Sequence, residues 1–175
     1  MTRAMVRRRL AGIAHGLRGA IEVAGEVEMR VVVRRARLDE IIDLRHAVLR
    51  AGLPREEAIF EGDEAAETRH FAAVDGGEIV ACLTFHCSSY EGSPAWQLRG
   101  MAVAARRRAT GAGRDLLTYA EADVLRESPI RLFWCNARTP ALGFYRKLGW
   151  APVGEQFEIP TAGPHFRMMK RVPLS

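Results

Sequence analysis

Three segments of the chain carry apolar residues at the three- or four-residue spacing of an amphipathic helix. The first spans about 38–49, and its apolar positions are Leu38, Ile41, Ile42, Val48 and Leu49. The second follows a glycine-containing turn and ends at Ser128-Pro129. The third lies within 136–150, where Thr139 is the predicted N-cap and Pro140 the first helical residue. The acidic segment between the first helix and residue 68 adds a short helix or a loop.

Seven other segments are short, rich in apolar and β-branched residues, and bounded by turn residues, as strands are. They lie at 29–33, 71–74, 78–86, 96–103, 130–135, 153–159 and 166–172. Asp75-Gly76-Gly77 predicts a tight hairpin between the second and third strands, and a longer loop with Gly92 and Pro94 precedes the fourth. The pattern therefore predicts about seven strands and three or four helices in mixed α+β order.

Length and composition are those of one globular domain. The chain has 175 residues, 48% hydrophobic and 27% charged, and no apolar run approaches the roughly 18–20 residues of a membrane span. Residues 1–28 are basic and only mildly apolar, and glycine and charged residues interrupt them, which argues against a signal peptide. We expect 1–28 to be a loosely docked extension or a basic partner-binding arm, and 29–175 to be the functional domain.

Charge and cysteine content narrow the functional classes. The net charge of +5 permits an anionic partner, which is either a phosphate-bearing cofactor or nucleic acid. Cys82, Cys87 and Cys135 are an odd number without a C-x-x-C pair. This pattern indicates a reducing compartment, which we take to be the cytoplasm, and argues against a disulfide scaffold or a zinc site.

A basic turn after the strand at 96–103 has the features of a phosphate site. Arg108, Gly111 and Gly113 form R-x-x-G-x-G where the chain enters a helix. Unpaired backbone N–H groups and the helix dipole attract an anion there, and glycine lets the backbone approach it closely. No Lys follows Gly113 as a P-loop requires, and Leu116 replaces the third glycine of a dinucleotide fingerprint.

Two blocks of the sequence resemble the GNAT superfamily of acyl-CoA-dependent N-acyltransferases. L-R-G-M-A-V-A followed by R-R-R-A-T-G-A-G is similar to the family's splayed strand and its Q/R-x-x-G-x-G/A pyrophosphate loop. N-A-R-T-P-A-L-G-F-Y-R-K-L-G-W is similar to the family's N-x-x-A-x-x-F-Y-x-x-x-G-F block. The resemblance covers the chain from about Met29 onward. It implies an α+β fold with a central mixed, mostly antiparallel sheet in which two strands splay apart at the cofactor.

The resemblance also implies roles for individual residues. Acetyl-CoA would run along main-chain groups of β-strand residues Met101, Ala102 and Val103, with the Val103 N–H facing the thioester oxygen. Its pyrophosphate would bind the loop formed by Arg108, Ala109, Thr110, Gly111, Ala112, Gly113 and Arg114. Asn136 would hydrogen-bond the cofactor across the gap between strands. Tyr145 would lie near the sulfur as general acid, although a core aromatic on a helix face is the alternative for it.

The general base and the acceptor contacts are less defined. Glu155 is the first candidate base, and the others are Glu158, His165 and the acidic residues Glu61 and Glu64. His165, at the entry of the last strand, is also the candidate contact to the acceptor. Arg45 is expected on the solvated face of the first helix.

The predicted activity is transfer of an acetyl group from acetyl-CoA to a primary amine by direct attack, without a metal. The acceptor is a small-molecule or peptide amine, and the protein is a monomer or homodimer that binds neither membrane nor nucleic acid. A non-catalytic acyl-CoA sensor is the first alternative and would bind without releasing thiol. A basic nucleic-acid-binding protein is the second, but the chain lacks the aromatic motifs and the helix-turn-helix of such proteins.

Overall fold

The computed structural model describes residues 31–173. Within them the strands are β1 Val32–Ala36, β2 Arg69–Asp75, β3 Glu78–Tyr90, β4 Ser93–Val103, β5 Leu132–Arg138, β6 Ala151–Ile159 and β7 Gly163–Arg171. The α-helices are α1 Leu38–Leu49, α2 Ala112–Glu127 and α3 Leu142–Lys147. Short 3₁₀ turns lie at Arg55–Ala58, Ala105–Arg107 and Thr139–Ala141. The extension predicted over 1–28 lies outside the described residues.

All seven strands form one sheet in the order β1-β2-β3-β4-β5-β7-β6. The pairing between β4 and β5 is parallel, and every other pairing among the described strands is antiparallel. The predicted α+β fold with a mixed, mostly antiparallel sheet is therefore confirmed. Because β7 inserts between β5 and β6, the β6–β7 hairpin stands next to the end of β5.

The parallel pair opens along its length. β4 and β5 are paired at Trp96–Phe133, Gln97–Trp134 and Leu98–Cys135. Beyond these pairs β4 continues to Val103 and β5 to Arg138 without contact between their backbones in the ladder. The predicted splay of two neighbouring strands is confirmed, and it leaves a wedge-shaped gap in the middle of the sheet.

The sheet is covered on both faces, as strand alternation requires. On one face Ile41 of α1 packs in a buried cluster with Ala72, Cys82 and Ala102. On the other face the alternate residues of the same strands pack against α2, in a larger cluster that includes Phe71, Leu83, Phe85, Leu116, Leu117 and Trp150. The two helices thus hold the central strands between them while the gap stays open at one end.

The hairpin between β3 and β4 is tighter than the sequence predicts. The expected long loop is wrong, because Tyr90 pairs directly with Ser93 across a two-residue turn. Glu91 and Gly92 both have positive φ, 49° and 78°, as the turns that suit twisted hairpins require. Pro94 is tolerated in β4 because the β4–β5 pairing begins only at Trp96, so its missing N–H removes no bond to β5.

The bounds of β1 and β5 also differ from the predicted ones. β1 lies three residues later than expected, because Arg34 and Arg35 on this outer strand form ion pairs with Glu40 and Asp123 and do not break it. The segment predicted to lead into the third helix instead extends β5, where Arg138 pairs with His165.

The predicted N-cap at Thr139 is wrong. Arg138 precedes the 3₁₀ turn in extended conformation and occupies the N-cap position. Thr139 lies within the turn, and its hydroxyl donates across to the Pro164 carbonyl at 3.2 Å. The residue therefore ties the start of α3 to the β6–β7 hairpin.

The three cysteines are free thiols, as expected from their number and spacing. Cys82 and Cys135 are buried, and burial raises the pKa of the Cys82 thiol to about 11. They act as small apolar residues of the core.

A buried charge cluster joins α1 to the sheet, and the expectation of a solvated Arg45 is wrong. The Arg45 side chain has no exposed area, and its guanidinium donates to Asp63, to Thr84 and to the Ala58 carbonyl at 3.0 Å. The Asp63 carboxylate also accepts from Arg99 at 3.1 Å. One carboxylate therefore serves two arginines in the interior.

No helix within residues 31–173 combines the length and apolar character that crossing a membrane requires.

Replacing the shared carboxylate of Asp63 tests how much the buried charge cluster contributes to stability. We expect Asp63→Asn to lower the free energy of unfolding by about 3–5 kcal/mol, since the fully buried Arg45 and the partly buried Arg99 lose their counter-charge. Asp43→Asn is the matched control, because Asp43 pairs with Arg55 on the exposed face of α1 and should cost less than about 1 kcal/mol. Urea denaturation measures both, and similar losses for the two variants would contradict the role given to Asp63.

Candidate functional site

Two cavities meet in the gap between β4 and β5. The loop cavity, of about 640 Å³, lies between the end of β4, the basic turn that follows it and α3. The hairpin cavity, of about 360 Å³, lies between the C-terminus of α1, the open ends of β4 and β5, and the β6–β7 hairpin. Met101, Ala141 and Tyr145 line both cavities. A molecule in one cavity can therefore reach a molecule in the other at this point.

The basic turn presents free backbone N–H groups to the loop cavity. Gly111 is the N-cap of α2, has a φ of 94°, and provides no side chain to satisfy the first amides of the helix. The Asp115 N–H makes the first helical bond, to the Gly111 carbonyl at 2.9 Å. The amides of 112–114 therefore have no acceptor within the helix, which gives the positive end expected of an anion site.

The two glycines of the turn serve different purposes. Gly111 supplies the left-handed backbone conformation. At Gly113 a Cβ would lie 3.2 Å from Val103 Cγ2 and 3.3 Å from Met101 Cε, so this glycine lets α2 pack closely against β4. The same close packing keeps the free amides beside the end of β4.

The arginines around the turn divide into two pairs. Arg106 pairs with Glu78 and Arg107 with Asp75, so their charges are neutralised by the β2–β3 turn. Arg108 and Arg114 are exposed at the rim of the loop cavity, although Arg114 also contacts the neighbouring Asp115 at 2.9 Å. The positive charge without a carboxylate partner among the described residues thus lies at Arg108, and Arg114 adds a guanidinium that Asp115 partly offsets.

A β-bulge in β4 turns the backbone of the residues that follow it towards the gap. The register between β3 and β4 shifts between Cys82 and Thr84, so that Gly100 and Met101 occupy the space of one residue. Gly100 has a φ of 61°, and a Cβ there would lie 2.6 Å from the Arg45 Nε. A larger residue would therefore clash with the buried charge cluster.

Beyond the bulge the hydrogen-bond ladder sets the direction of Val103. The Ala104 N–H donates to the Val80 carbonyl at 2.8 Å. Alternation along an antiparallel pair then turns the Val103 N–H away from β3 and into the gap.

Tyr145 lies at the junction of the two cavities. It is a buried residue of α3 that packs against Phe144 and Trp150, with ring centroids 5.1 and 5.7 Å away. Its hydroxyl faces the Met101 sulfur at 3.6 Å. Burial raises the pKa of the Tyr145 hydroxyl well above its ordinary value, so the group remains protonated.

Asn136 lines the hairpin cavity and is not among the residues that line the loop cavity. Its Oδ1 accepts a hydrogen bond from the Arg167 Nε at 2.9 Å. The Arg167 guanidinium also lies 4.8 Å from the Trp134 ring centroid. Asn136 therefore lies on the hairpin-cavity side of the gap, held by a neighbouring arginine.

His165 is buried and lines the hairpin cavity. Its Nδ1 lies 2.7 Å from the Gly163 carbonyl oxygen, which can only accept, so Nδ1–H donates this hydrogen bond and Nε2 is the nitrogen that can accept. Glu155 is exposed on β6, in the stretch where β6 loses register with β7, and lines neither cavity. Glu158, Glu61 and Glu64 are exposed as well and line neither cavity.

Most of the predicted cofactor residues converge on the loop cavity, and Asn136 lies outside it. Those that line the loop cavity are Met101, Ala102, Val103, Arg108, Ala109, Gly111, Gly113 and Arg114. Thr110 and Ala112 belong to the same turn but not to the cavity wall. The Thr110 hydroxyl bonds the Arg107 carbonyl at 2.8 Å, and Ala112 is buried at the start of α2.

Comparison with known proteins identifies the family. Residues 66–152 match the family model described as an acetyltransferase (GNAT) domain. The uncharacterized N-acetyltransferase YitI of Bacillus subtilis (strain 168) is 33% identical over 146 residues, which are 82% of this chain and 97% of YitI. This chain belongs to the GNAT acetyltransferase family. The resemblance drawn from the two sequence blocks and the predicted enzyme class are thereby confirmed.

Solved structures with the GNAT fold match as well. Escherichia coli ElaA superposes with a TM-score of 0.70 at 20% identity, over 81% of this chain and all of ElaA. An aminoglycoside 6'-N-acetyltransferase complexed with coenzyme A gives a TM-score of 0.66 at 20% identity, over 82% of this chain and 99% of that protein. At this identity the likeness establishes the fold that this GNAT chain shares with them.

Several residues at the GNAT site carried no signal in the sequence. Arg50, Arg99 and Arg138 line the hairpin cavity but come from the end of α1, from β4 and from β5. Side chains that converge from such distant positions form no motif. Gly100 also lines this cavity, and it did carry a signal in the sequence, since a glycine inside a strand pattern often marks a bulge.

Proposed function

We propose that this GNAT protein transfers an acetyl group from acetyl-CoA, bound in the loop cavity, to a primary amine bound in the hairpin cavity. The observation that carries the proposal is the meeting of the two cavities at Met101 and Tyr145. An enzyme that joins two substrates must hold their reacting atoms within contact distance, and this gap is where such contact can occur.

The residues of the loop cavity suit coenzyme A. The free amides at the start of α2 bind the diphosphate, and Arg108 and Arg114 add charge at the rim. The pantetheine arm extends along the open edge of β4 and meets the backbone of Met101 and Val103. These contacts resemble those of an added strand, and they bring the thioester to the junction of the two cavities.

The Val103 N–H stabilises the charge that develops when the amine attacks. As the nitrogen bonds to the thioester carbon, negative charge grows on the carbonyl oxygen. A fixed backbone donor at that position commonly lowers such a barrier by roughly 3–4 kcal/mol. The bulge at Gly100 supports this role, because it leaves the following residues free to face the gap.

Tyr145 protonates the leaving thiolate. Collapse of the tetrahedral adduct breaks the carbon–sulfur bond and expels a thiolate, whose conjugate thiol has an ordinary pKa of about 8.5. The Tyr145 hydroxyl lies beside Met101 at the junction and is held protonated by burial. It can therefore deliver the proton directly to the sulfur.

His165 accepts the proton that the amine loses. It lines the hairpin cavity, and its bond to the Gly163 carbonyl leaves Nε2 free to accept. Glu155 is exposed outside both cavities, so we do not assign it this role. The three free thiols agree with a reducing compartment, and we propose the cytoplasm.

Gly111→Glu tests the diphosphate site. We expect at least about 100-fold weaker acetyl-CoA binding by isothermal titration calorimetry, because a carboxylate at the N-terminus of α2 repels the diphosphate and strains a left-handed residue. Gly92→Glu is the control, since Gly92 also has positive φ but lies in the open β3–β4 turn. Unchanged acetyl-CoA affinity in Gly111→Glu would show that the diphosphate does not bind at this turn.

Tyr145→Phe tests the proton donor. We expect kcat in a free-thiol release assay to fall about 100-fold while the dissociation constant of acetyl-CoA stays the same. Because the pKa of Tyr145 is raised, wild-type kcat should not decline through loss of this proton between about pH 7 and 9. Tyr119→Phe on α2 is the control, and a normal kcat in Tyr145→Phe would refute the assignment.

His165→Asn tests the base. We expect kcat to fall about 10- to 100-fold with a strongly basic amine but much less with trifluoroethylamine, which is largely neutral at pH 7 and has no proton to lose before attack. His46→Asn is the control, because His46 bonds the Leu53 carbonyl at 2.8 Å outside both cavities. Equal losses with the two amines would indicate that His165 only positions the acceptor.

A further inference from the structure

We infer that the amine accepted in the hairpin cavity carries an anionic group, a carboxylate or a phosphate, in addition to the amine that is acetylated. The inference rests on the proposed function and names the chemical class of its acceptor. The observations behind it are the charges on the cavity wall, the partners of those charges and the size of the cavity.

The wall of the hairpin cavity is positively charged. Three arginines line it, and these are Arg50, Arg99 and Arg138. No aspartate or glutamate among residues 31–173 lines the same cavity. A ligand that enters it therefore meets guanidinium groups and no carboxylate of this part of the chain.

Two of these arginines have donors to spare. The Arg50 guanidinium donates to the Leu49 carbonyl at 3.1 Å and lies 5.3 Å from the Phe60 ring centroid. Arg138 makes a long bond of 3.3 Å to the same carbonyl. Neither forms an ion pair with a carboxylate in the described part of the chain. Each guanidinium has five N–H donors, so most of them remain available to a ligand.

The third arginine is only partly neutralised. Arg99 pairs with Asp63 at 3.1 Å, but Asp63 also pairs with the fully buried Arg45. Two guanidinium groups thus share one carboxylate, and the cluster keeps a net positive charge. The Arg99 Nε is buried without a hydrogen-bond partner among the described residues, and the Arg99 side chain keeps 16% of its area exposed.

This arrangement favours an anion and disfavours a polycation. A carboxylate or phosphate matches the planar fork of a guanidinium and forms short, charge-assisted hydrogen bonds with it. A polyamine or an aminoglycoside would bring several more positive charges into a site without a counter-charge on its wall. The arginines also lower the pKa of an amine bound among them, which increases the neutral fraction that can attack.

The volume and lining of the cavity suit a small acceptor. Its volume of about 360 Å³ is at the small end of ligand sites, and Leu49, Phe60 and Ile159 give it apolar surface. An amino acid or a similarly small amine with an anionic end fits these features.

Matched acceptors test the inference in the free-thiol release assay with acetyl-CoA. The pairs are leucine with leucinamide, phenylalanine with phenylalaninamide, and phosphoethanolamine with ethanolamine, and spermidine and kanamycin are the polycations. We expect at least one acceptor that carries the anionic group to have a kcat/KM about 10- to 100-fold above the partner that lacks this group and above both polycations. The amino-acid pairs identify a carboxylate, and the third pair identifies a phosphate. Leucinamide and phenylalaninamide have less basic amines than the two amino acids, so a larger fraction of each is neutral near pH 7. Amine reactivity alone would therefore favour the amides, which is the opposite of the expected result.

The opposite ranking overturns the inference. If an amide, ethanolamine, spermidine or kanamycin is the best substrate, the acceptor is not anionic, although acetyl transfer itself stands. If no amine releases thiol, the proposed function fails, and the inference is then tested by measuring ligand binding. Thermal stabilisation of the coenzyme A complex by leucine, phenylalanine or phosphoethanolamine, but not by the partners that lack the anionic group, then supports it, and no such difference overturns it.

Variants locate the charge that selects the acceptor. Arg138→Gln should raise KM for the preferred acceptor about 10-fold and change KM much less for the partner that lacks the anionic group. Arg138→Glu should reverse the preference in favour of spermidine. Arg171→Gln is the matched control, because Arg171 is an exposed arginine at the far end of β7. Unaltered discrimination in both Arg138 variants, with normal acetyl-CoA affinity, would refute the role of this arginine.

Discussion

The separation of β4 from β5 after Leu98 and Cys135 is the constraint on which the site depends. Two parallel neighbours that diverge leave backbone N–H and C=O groups without strand partners, and such groups cost about 1–3 kcal/mol each when they are buried unpaired. The loop and hairpin cavities avoid this cost because they keep the backbone groups of the open edges accessible to water and ligands. The free edge of β4 is thereby left as a surface on which a ligand can form backbone hydrogen bonds.

The buried charge cluster keeps the open edge in place. The Arg45 guanidinium packs against Gly100, where even a methyl group would clash, and its bonds to Asp63 and Thr84 fix it there. The bulge, and with it the direction of Val103, is therefore set by a residue of α1. Asp63 also holds Arg99, so one carboxylate links the backbone of β4 to the charged wall of the hairpin cavity.

Sequence reasoning recovered what local patterns encode. The helix at 38–49, the turn at Gly111 and the splay implied by the family resemblance are all present. It failed where distant residues decide the outcome. Arg45 looked solvated because its partner Asp63 lies 18 positions away. Glu155 was the first candidate base because it alternates with apolar residues along a predicted strand. That alternation cannot show that β6 is the outermost strand, where Glu155 is exposed. The arginines of the hairpin cavity converge only after folding, so no spacing could reveal them.

Both outer strands of the described sheet are poor templates for further pairing. β1 has five residues, and Arg34 and Arg35 carry charge into its middle. β6 loses register with β7 between Val153 and Phe157, and Glu155 falls within that break. Short length, charge and a bulge are the devices by which natural sheets avoid joining edge to edge. The irregularity of β6 thus helps this acetyltransferase resist self-association into fibrils while its interior strands stay parted.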